Sequence, residues 1–319
     1  MKTAPSILPL VRQYLAERRQ RGYRLVTEGA VLLGFARYAA VHALGAAVTR
    51  ELAVAWAKSS VKGKAGYQAR RYEIVRRFTP YAKLFAPHTE LLPLGLWGPI
   101  DRGRPTPHIY SPTEVCALLH EASQLGPPHG LRACSCATLL GLLACTGVRI
   151  GEALRLRDAD VDLQSGRLHI RHSKGDRSRW VPLHPTAVRA LRRYVQRRDR
   201  ACPRPATDAF FLTADGAAMN YGRVLNEFWR LRSRLGWTAA SHQRAPRLHD
   251  LRHTFAVRRL LLWYRQRQNV DNYIAALATY LGHVKFTDTY WYLTAIPELM
   301  ALVTARFEKS TPALRRFHP

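Results

Sequence analysis

The chain has 319 residues, 47% of them hydrophobic, and a formal net charge of +28 from 50 Lys and Arg against 22 Asp and Glu. This apolar content is sufficient for buried cores and argues against a disordered chain, and the length is typical of about two domains. The sequence shows no uncharged apolar run of the ~18 residues that a membrane span requires, and no signal peptide, which argues against a membrane protein.

The positive charge is spread along the whole chain. Residues 1–100 hold 16 basic and 5 acidic residues, a surplus of 11, and the remainder carries the other 17. A basic tail would concentrate the charge, whereas two basic domains predict a surface that surrounds a polyanion. Nucleic acid is therefore the expected partner.

The first part of the chain, 1–98, is predicted to be a small basic helical domain, because residues 6–98 contain four amphipathic segments and little strand signal. The proline- and glycine-rich segment WGPIDRGRPTPH follows, and we assign 99–108 as a linker. The remainder, 109–319, is predicted to be a second domain. The fold class is therefore mainly α, with one α+β domain that contains a small antiparallel sheet.

The second domain is predicted to begin with a helix capped by Ser111, with Pro112 at its first position and Glu114 completing a capping box. A buried helix at about 129–145 and a short helix from Arg149 come next. Alternating apolar and polar residues around a Lys-Gly-Asp turn then predict a β-hairpin at roughly 167–172 and 178–183. Helical patterns dominate the rest of the chain. The five cysteines form no CxxC pair and are predicted to be buried intracellular thiols: Cys116, Cys134, Cys136, Cys145 and Cys202.

The segment TGVRIGEALRLRDADVDL (146–163) places an arginine at the start of a short helix. Thr146 is predicted to be the N-cap, which puts Arg149 in the first turn, where a bound anion is favoured and a cation is not. Glu152 can hold the guanidinium group from three residues on. An ordinary Arg149–Glu152 surface pair explains this segment equally well.

The segment HDLRHTF (249–255) crowds two imidazoles and a guanidinium onto one helical turn. His249 and His253 are four residues apart and share a face, as metal ligands do, and His283 could supply a third ligand. His249 and Arg252 are three apart and favour an anion instead, since two arginines, Arg149 and Arg252, could hold one phosphate bidentately.

Two further segments are weak evidence of function when each is considered alone. Lys174 lies at the tip of the predicted hairpin, where many lysines simply face water. In LGHVKFTDTYWYLT (281–294), His283 is followed nine residues later by Tyr292, and an aromatic core stripe at Tyr290–Tyr292 is the simpler explanation.

Taken in chain order, these segments resemble the tyrosine recombinase (phage integrase) family. The arginine box, the hairpin lysine, the His-x-x-Arg box, the Leu-Gly-His box and the tyrosine nine residues later all occur with the family's order and spacing. The matching positions are Arg149, Lys174, His249, Arg252, His283 and Tyr292. The resemblance covers roughly 110–319, and TYWYL with the following PELM is most similar to transposon-associated members. The stretch YRQRQNVDN (264–272) departs from the pattern as an insertion between two helices.

The resemblance implies DNA strand exchange through a 3′-phosphotyrosyl intermediate. Tyr292 would attack the scissile phosphate while Arg149 and Arg252 hold its non-bridging oxygens. Lys174 would protonate the departing 5′-oxygen.

Three more residues complete the implied site: His283 donates a hydrogen bond, His249 acts as base or phosphate ligand, and Glu152 holds Arg149. No cofactor, metal or ATP is needed, because the cations are fixed and the phosphotyrosyl ester stores the cleaved bond. The expected partners are double-stranded DNA, three further copies of the chain on paired sites, and accessory recombination proteins. The expected location is the bacterial cytoplasm, at the nucleoid. A type IB topoisomerase and a non-catalytic architectural DNA-binding protein are the alternatives.

Overall fold

A computed structural model describes residues 6–23, 25–42, 45, 47–60, 65–96, 106–127, 130–171, 178–239, 244–266 and 268–282. Internal contacts divide the chain into two units, Met1–Arg104 and Pro105–Pro319. The division falls within the segment 99–108 assigned as a linker, most of which lies outside the described residues.

The first unit is helical throughout its described elements. Ser6 and Thr49 cap two of the helices by accepting hydrogen bonds from the backbone at Leu8 and Leu52. The apolar faces of the helices form one core that includes Phe35, Trp56 and Phe78. The elements are α1 (Ile7–Gln20), α2 (Val26–His42), α3 (Arg50–Lys58) and α4 (Ala65–Phe85).

The second unit is mostly α-helical and carries one small sheet. The helices are α5 (Pro112–Ser123), α6 (Leu131–Thr146), α7 (Ile150–Ala153), α8 (Pro185–Ala201), α9 (Tyr221–Arg234), α10 (Asp250–Arg265) and α11 (Val270–Leu281). The strands are β1 (Val161–Asp162), β2 (Arg167–Ile170) and β3 (Arg179–Pro182). The order β1-β2-β3 is antiparallel, with Leu168 opposite Val181. The predicted fold class is confirmed, as is the capping box of Ser111 and Glu114; β1 was not predicted.

Helix α6 is the centre of this unit. It is apolar on almost every side and packs against α5, α8 and α10, which is the arrangement expected of a helix without a polar face. Helices α10 and α11 pack on each other through a second cluster that includes Leu260, Ile274 and Leu281. The C-terminal ends of α6 and α11 both lie beside the start of α10.

The stretch 264–272 takes in the end of α10 at Arg265 and the start of α11 at Val270, so that 266–269 join the two helices. Its interpretation as an insertion relative to the family stays a prediction. The cysteines are not uniformly buried: Cys136 is buried, but Cys116 and Cys145 are exposed. Both exposed thiols lie on apolar helices at positions that face away from the core, which the apolar composition of those helices concealed.

No helix within the described ranges is long and apolar enough to cross a membrane.

Candidate active site

The loop between α6 and α7 places Arg149 differently from the prediction. Thr146 is not an N-cap but the last residue of α6, where its hydroxyl donates to the carbonyl of Leu142 at 2.6 Å. Gly147 then turns the chain in the left-handed region, with φ +65°. Arg149 itself occupies the N-cap position of α7 rather than its first turn. The error arose because Thr is common at N-caps but also bonds to the carbonyl four residues back within a helix.

The guanidinium group of Arg149 is fixed from two directions. Its Nη1 donates to Oε1 of Glu152 at 2.8 Å, and its Nη2 donates to the carbonyl of Gly282 at 2.9 Å. The backbone N–H of Arg149 also donates to Oε2 of Glu152 at 3.0 Å. The side chain retains 27% of its exposure, so the group is oriented and still accessible to a ligand.

Arg252 lies in the first turn of α10 and is almost fully buried, at 3% exposure. Its Nη1 donates to the carbonyl of Gly147 at 2.8 Å and its Nη2 to the carbonyl of Leu281 at 2.7 Å. One side chain therefore joins the end of α6 to the end of α11. A buried guanidinium is costly unless its N–H groups find acceptors, and these two carbonyls supply them.

Arg179 is a third arginine of this site, and the sequence analysis missed it. It lies at the start of β3, and its Nε donates to the carbonyl of Tyr280 at 2.7 Å. Its Nη1 and Nη2 donate to the two carboxylate oxygens of Glu152 at 3.1 and 2.8 Å. The signal was present in the alternation of the strand, because Arg179 shares a face with Val181, which is fully buried. A charged residue on the core-facing side of a strand requires a buried partner.

The three arginines converge on the end of α11. The consecutive carbonyls of residues 280, 281 and 282 accept from Arg179, Arg252 and Arg149 respectively. Cations are favoured at a helix C-terminus, where unpaired carbonyls carry partial negative charge. We name Arg149, Arg179 and Arg252 the arginine cluster.

The cluster carries a net positive charge. Glu152, at 3% exposure, is the carboxylate that contacts Arg149 and Arg179. Burial alone would raise the pKa of Glu152, but hydrogen bonds from Arg179 and the charges of Arg179 and Arg149 lower this pKa to about 2. Glu152 is thus ionised at neutral pH and offsets one of three guanidinium charges. The residual charge suits an anion.

Two glycines allow this close packing. A Cβ on Gly147 would lie 2.6 Å from Cδ1 of Phe255, and a Cβ on Gly282 would lie 2.9 Å from Nη1 of Arg179. Both glycines have positive φ, +65° and +67°, which disfavours any other residue on conformational grounds as well.

His249 stands directly before α10, next to the cluster. Part of the residue is open to solvent, and its ring meets the ring of His253 edge-on, with 4.8 Å between centroids. Desolvation by the surrounding protein atoms and then repulsion by Arg252 lower the pKa of His249 to about 4. The imidazole is therefore neutral at neutral pH, with one nitrogen able to accept a proton or hydrogen bond.

The start of α10 is anchored by groups outside the cluster. The hydroxyl of Tyr110 donates to the carbonyl of Arg247 at 3.0 Å, and the backbone N–H of Arg247 donates to Asp250 at 2.8 Å. These contacts fix the backbone on which His249 and Arg252 sit.

The structure therefore brings together Arg149, Glu152, His249 and Arg252. The other predicted site residues, Lys174, His283 and Tyr292, lie outside the described residues, as do Tyr290 and the predicted helix 297–309. In the part of the chain that is described, no group of three or more His, Cys, Asp or Glu side chains is arranged to hold a metal ion.

Comparison with known proteins covers almost the whole chain. Residues 110–297 match the model of the phage integrase family. The y4rE protein of Sinorhizobium fredii, named as an integrase/recombinase, is 37% identical over 296 residues, which are 93% of this chain and 94% of that protein. The y4rB protein of the same organism, with the same kind of name, is 35% identical over 303 residues, 94% and 96% of the two chains.

The fold is also that of a solved structure, the Tn1549 transposon integrase in complex with transposon right end DNA. The TM-score is 0.68 at 18% identity, with 95% of this chain and 99% of that chain covered.

Proposed function

Because this chain belongs to the phage integrase family, we propose that it is a site-specific tyrosine recombinase that cleaves and rejoins DNA strands through a 3′-phosphotyrosyl intermediate. The observation that carries this proposal is the arginine cluster, in which two guanidinium groups bind one carboxylate, a third lies beside them at the end of α11, and a neutral imidazole is adjacent. An oriented, accessible guanidinium such as that of Arg149 matches the oxygens of a phosphodiester.

Tyr292 is the proposed nucleophile. Its phenolic oxygen forms a bond to the scissile phosphorus while the bond from phosphorus to the 5′-oxygen breaks. His249 accepts the phenolic proton or binds the phosphate, and its neutral state at pH 7 is compatible with either role. Lys174 supplies a proton to the departing 5′-oxygen. A 5′-hydroxyl from the partner strand then reverses these steps, so that no energy source is consumed.

The arginines stabilise the crowded, more negative transition state. Arg149 and Arg252 are the proposed phosphate ligands, and His283 donates a further hydrogen bond. Because the guanidinium of Arg149 is already fixed by Glu152 and Gly282, little reorganisation is required when charge develops on the phosphate. This preorganisation is the main catalytic contribution of the described residues.

Double-stranded DNA is the proposed partner, in agreement with the charge of +28 and with the DNA bound to the Tn1549 integrase. We further propose that both units bind the same duplex, that four copies assemble on two paired sites in the bacterial nucleoid, and that accessory proteins direct the reaction. Residues 297–309 would pack on the neighbouring copy. Deleting the residues after 296 should then spare binding to a single site and impair pairing of two sites. Full recombination by the truncated protein would contradict this assembly.

The proposed chemistry is tested by trapping the covalent adduct. Wild-type protein incubated with a nicked duplex of its site should yield a protein–DNA species that resists SDS, and Tyr292→Phe should abolish it while leaving binding nearly unchanged. Tyr290→Phe is the matched control, because it also removes one phenolic hydroxyl, from a tyrosine two residues earlier. Loss of the adduct in Tyr290→Phe but not in Tyr292→Phe would overturn the assignment of the nucleophile.

The same assay separates the alternatives. An architectural DNA-binding protein would form no adduct at all. A type IB topoisomerase would form the adduct and relax a supercoiled plasmid, but it would not exchange strands between two sites on that plasmid.

A further inference from the structure

Arg179 has no assigned role in the reaction, yet its side chain makes two hydrogen bonds to Glu152, whereas that of Arg149 makes one. Both carboxylate oxygens of Glu152 accept from its fork, at 3.1 and 2.8 Å. Oxygen Oε1 is shared with Nη1 of Arg149 at 2.8 Å. The side chain of Arg149 thus binds only Oε1 of a carboxylate whose two oxygens both accept from Arg179.

Arg179 directs its whole guanidinium fork at acceptors of the protein. Its side chain is 11% exposed, and its Nε, Nη1 and Nη2 are all engaged, with Tyr280 and Glu152. Arg149, by contrast, is 27% exposed and makes a single side-chain contact to Glu152. Arg179 therefore binds both oxygens of the carboxylate, whereas Arg149 binds one of them and stays partly exposed.

We propose that Arg179 is a positioning residue that saturates the carboxylate of Glu152 and so leaves the positive charge of Arg149 available to the scissile phosphate. This proposal rests on the proposed function for the identity of the phosphate. Without Arg179, the ionised and buried Glu152 would have Arg149 as its closest remaining cation. A bidentate pair between the two would then turn the guanidinium fork of Arg149 away from a ligand.

The first test needs no cleavage and uses inorganic phosphate as the probe. Phosphate that binds the folded protein raises its melting temperature by mass action. We expect Arg179→Met, like Arg149→Ala, to lose most of the phosphate-dependent rise. The matched control is Arg198→Met: Arg198 is 8% exposed, pairs with Asp158 and Asp199, and lies on α8. Both Met variants lose one buried, paired arginine and the same net charge, so nonspecific anion effects cancel.

A double variant distinguishes the proposal from simple destabilisation. Glu152→Gln combined with Arg179→Met removes the carboxylate together with the group that saturates it, so Arg149 has no competitor. The double variant should regain the phosphate-dependent rise that Arg179→Met loses. Arg179→Lys, which keeps the charge without the fork, should be intermediate. An equal phosphate-dependent rise in Arg179→Met and Arg198→Met, or no recovery in the double variant, would overturn the proposal whether or not the protein cleaves DNA.

The second test measures single-turnover cleavage on two substrates. On the normal phosphodiester, Arg179→Met should be slower by ~10–100-fold, by analogy with removing a residue that orients a metal ligand, with site affinity unchanged. On a substrate with a methylphosphonate at the scissile position, which is uncharged, the difference from wild type should shrink, because less positive charge is needed. The same deficit on both substrates would contradict a role through the charge of Arg149. Absence of any adduct with wild-type protein would instead contradict the proposed function alone.

Discussion

Replacing Gly282 with alanine tests whether the packing of the arginine cluster matters for cleavage. The added Cβ would lie 2.9 Å from Nη1 of Arg179 and 3.4 Å from Nη1 of Arg149, at a φ of +67°. The left-handed conformation costs a residue with a Cβ ~1–2 kcal/mol, which for a domain of this size lowers the melting temperature by roughly 2–8 °C. Gly236→Ala is a close control, because its φ is +68° and nothing lies within 4 Å of its Cβ position.

The two variants should therefore be similarly destabilised but differ in activity. To restore ordinary contact, the guanidinium of Arg179 must retreat by about 0.5 Å, although Glu152 and Tyr280 hold it. Since a displacement of ~1 Å can cost ~10²-fold in rate, a deficit on the order of 10-fold is expected for Gly282→Ala. The measurements are thermal unfolding and single-turnover formation of the covalent adduct. Equal cleavage by the two variants would refute the reasoning.

Three further predictions follow from the charges of the site and of the chain. Arg149→Ala and Arg252→Ala should each slow adduct formation by ~10²–10³-fold, and Lys at either position should rescue poorly because it lacks the fork; efficient rescue by Lys would indicate that charge alone suffices. The pKa of His249 is lowered to about 4, while the unfolded residue titrates near ~6.5. The stability associated with neutral His249 is therefore fully present above pH ~6.5 and is lost as the pH falls toward 4. Denaturant titrations of His249→Gln should therefore show a slightly shallower loss of unfolding free energy over this range than wild type. Parallel curves for the two proteins would contradict the assignment. Site affinity, measured by fluorescence anisotropy, should fall ~10³–10⁵-fold between 50 and 200 mM salt if 6–10 phosphates are contacted, and a flat salt dependence would argue against charge-driven binding.

Much of the fold was predictable, because its elements obey local rules. Amphipathic periodicity located the helices, the capping box located the start of α5, and alternation located the hairpin of β2 and β3. The contact of Arg149 with Glu152 followed from helical spacing. These features depend on residues close together in the sequence.

The remaining features of the site depend on contacts distant in sequence. Arg179 reaches Glu152 across 27 positions, and Arg149 reaches Gly282 across 133. No periodicity encodes such pairings. The misplacement of Thr146 has a local cause, since one hydroxyl serves equally well at either end of a helix and only the αL turn at Gly147 decides between them.

The capping of α11 by three arginines couples the position of the end of this helix to the binding of an anion. Two of these arginines, Arg252 and Arg149, bind the carbonyls of residues 281 and 282 and are also the proposed phosphate ligands. By thermodynamic reciprocity, any contact that displaces the end of α11 must change the affinity for the anion, and occupancy by the anion must change the free energy of that displacement by the same amount. The end of α11 is therefore energetically coupled to whatever the arginine cluster binds.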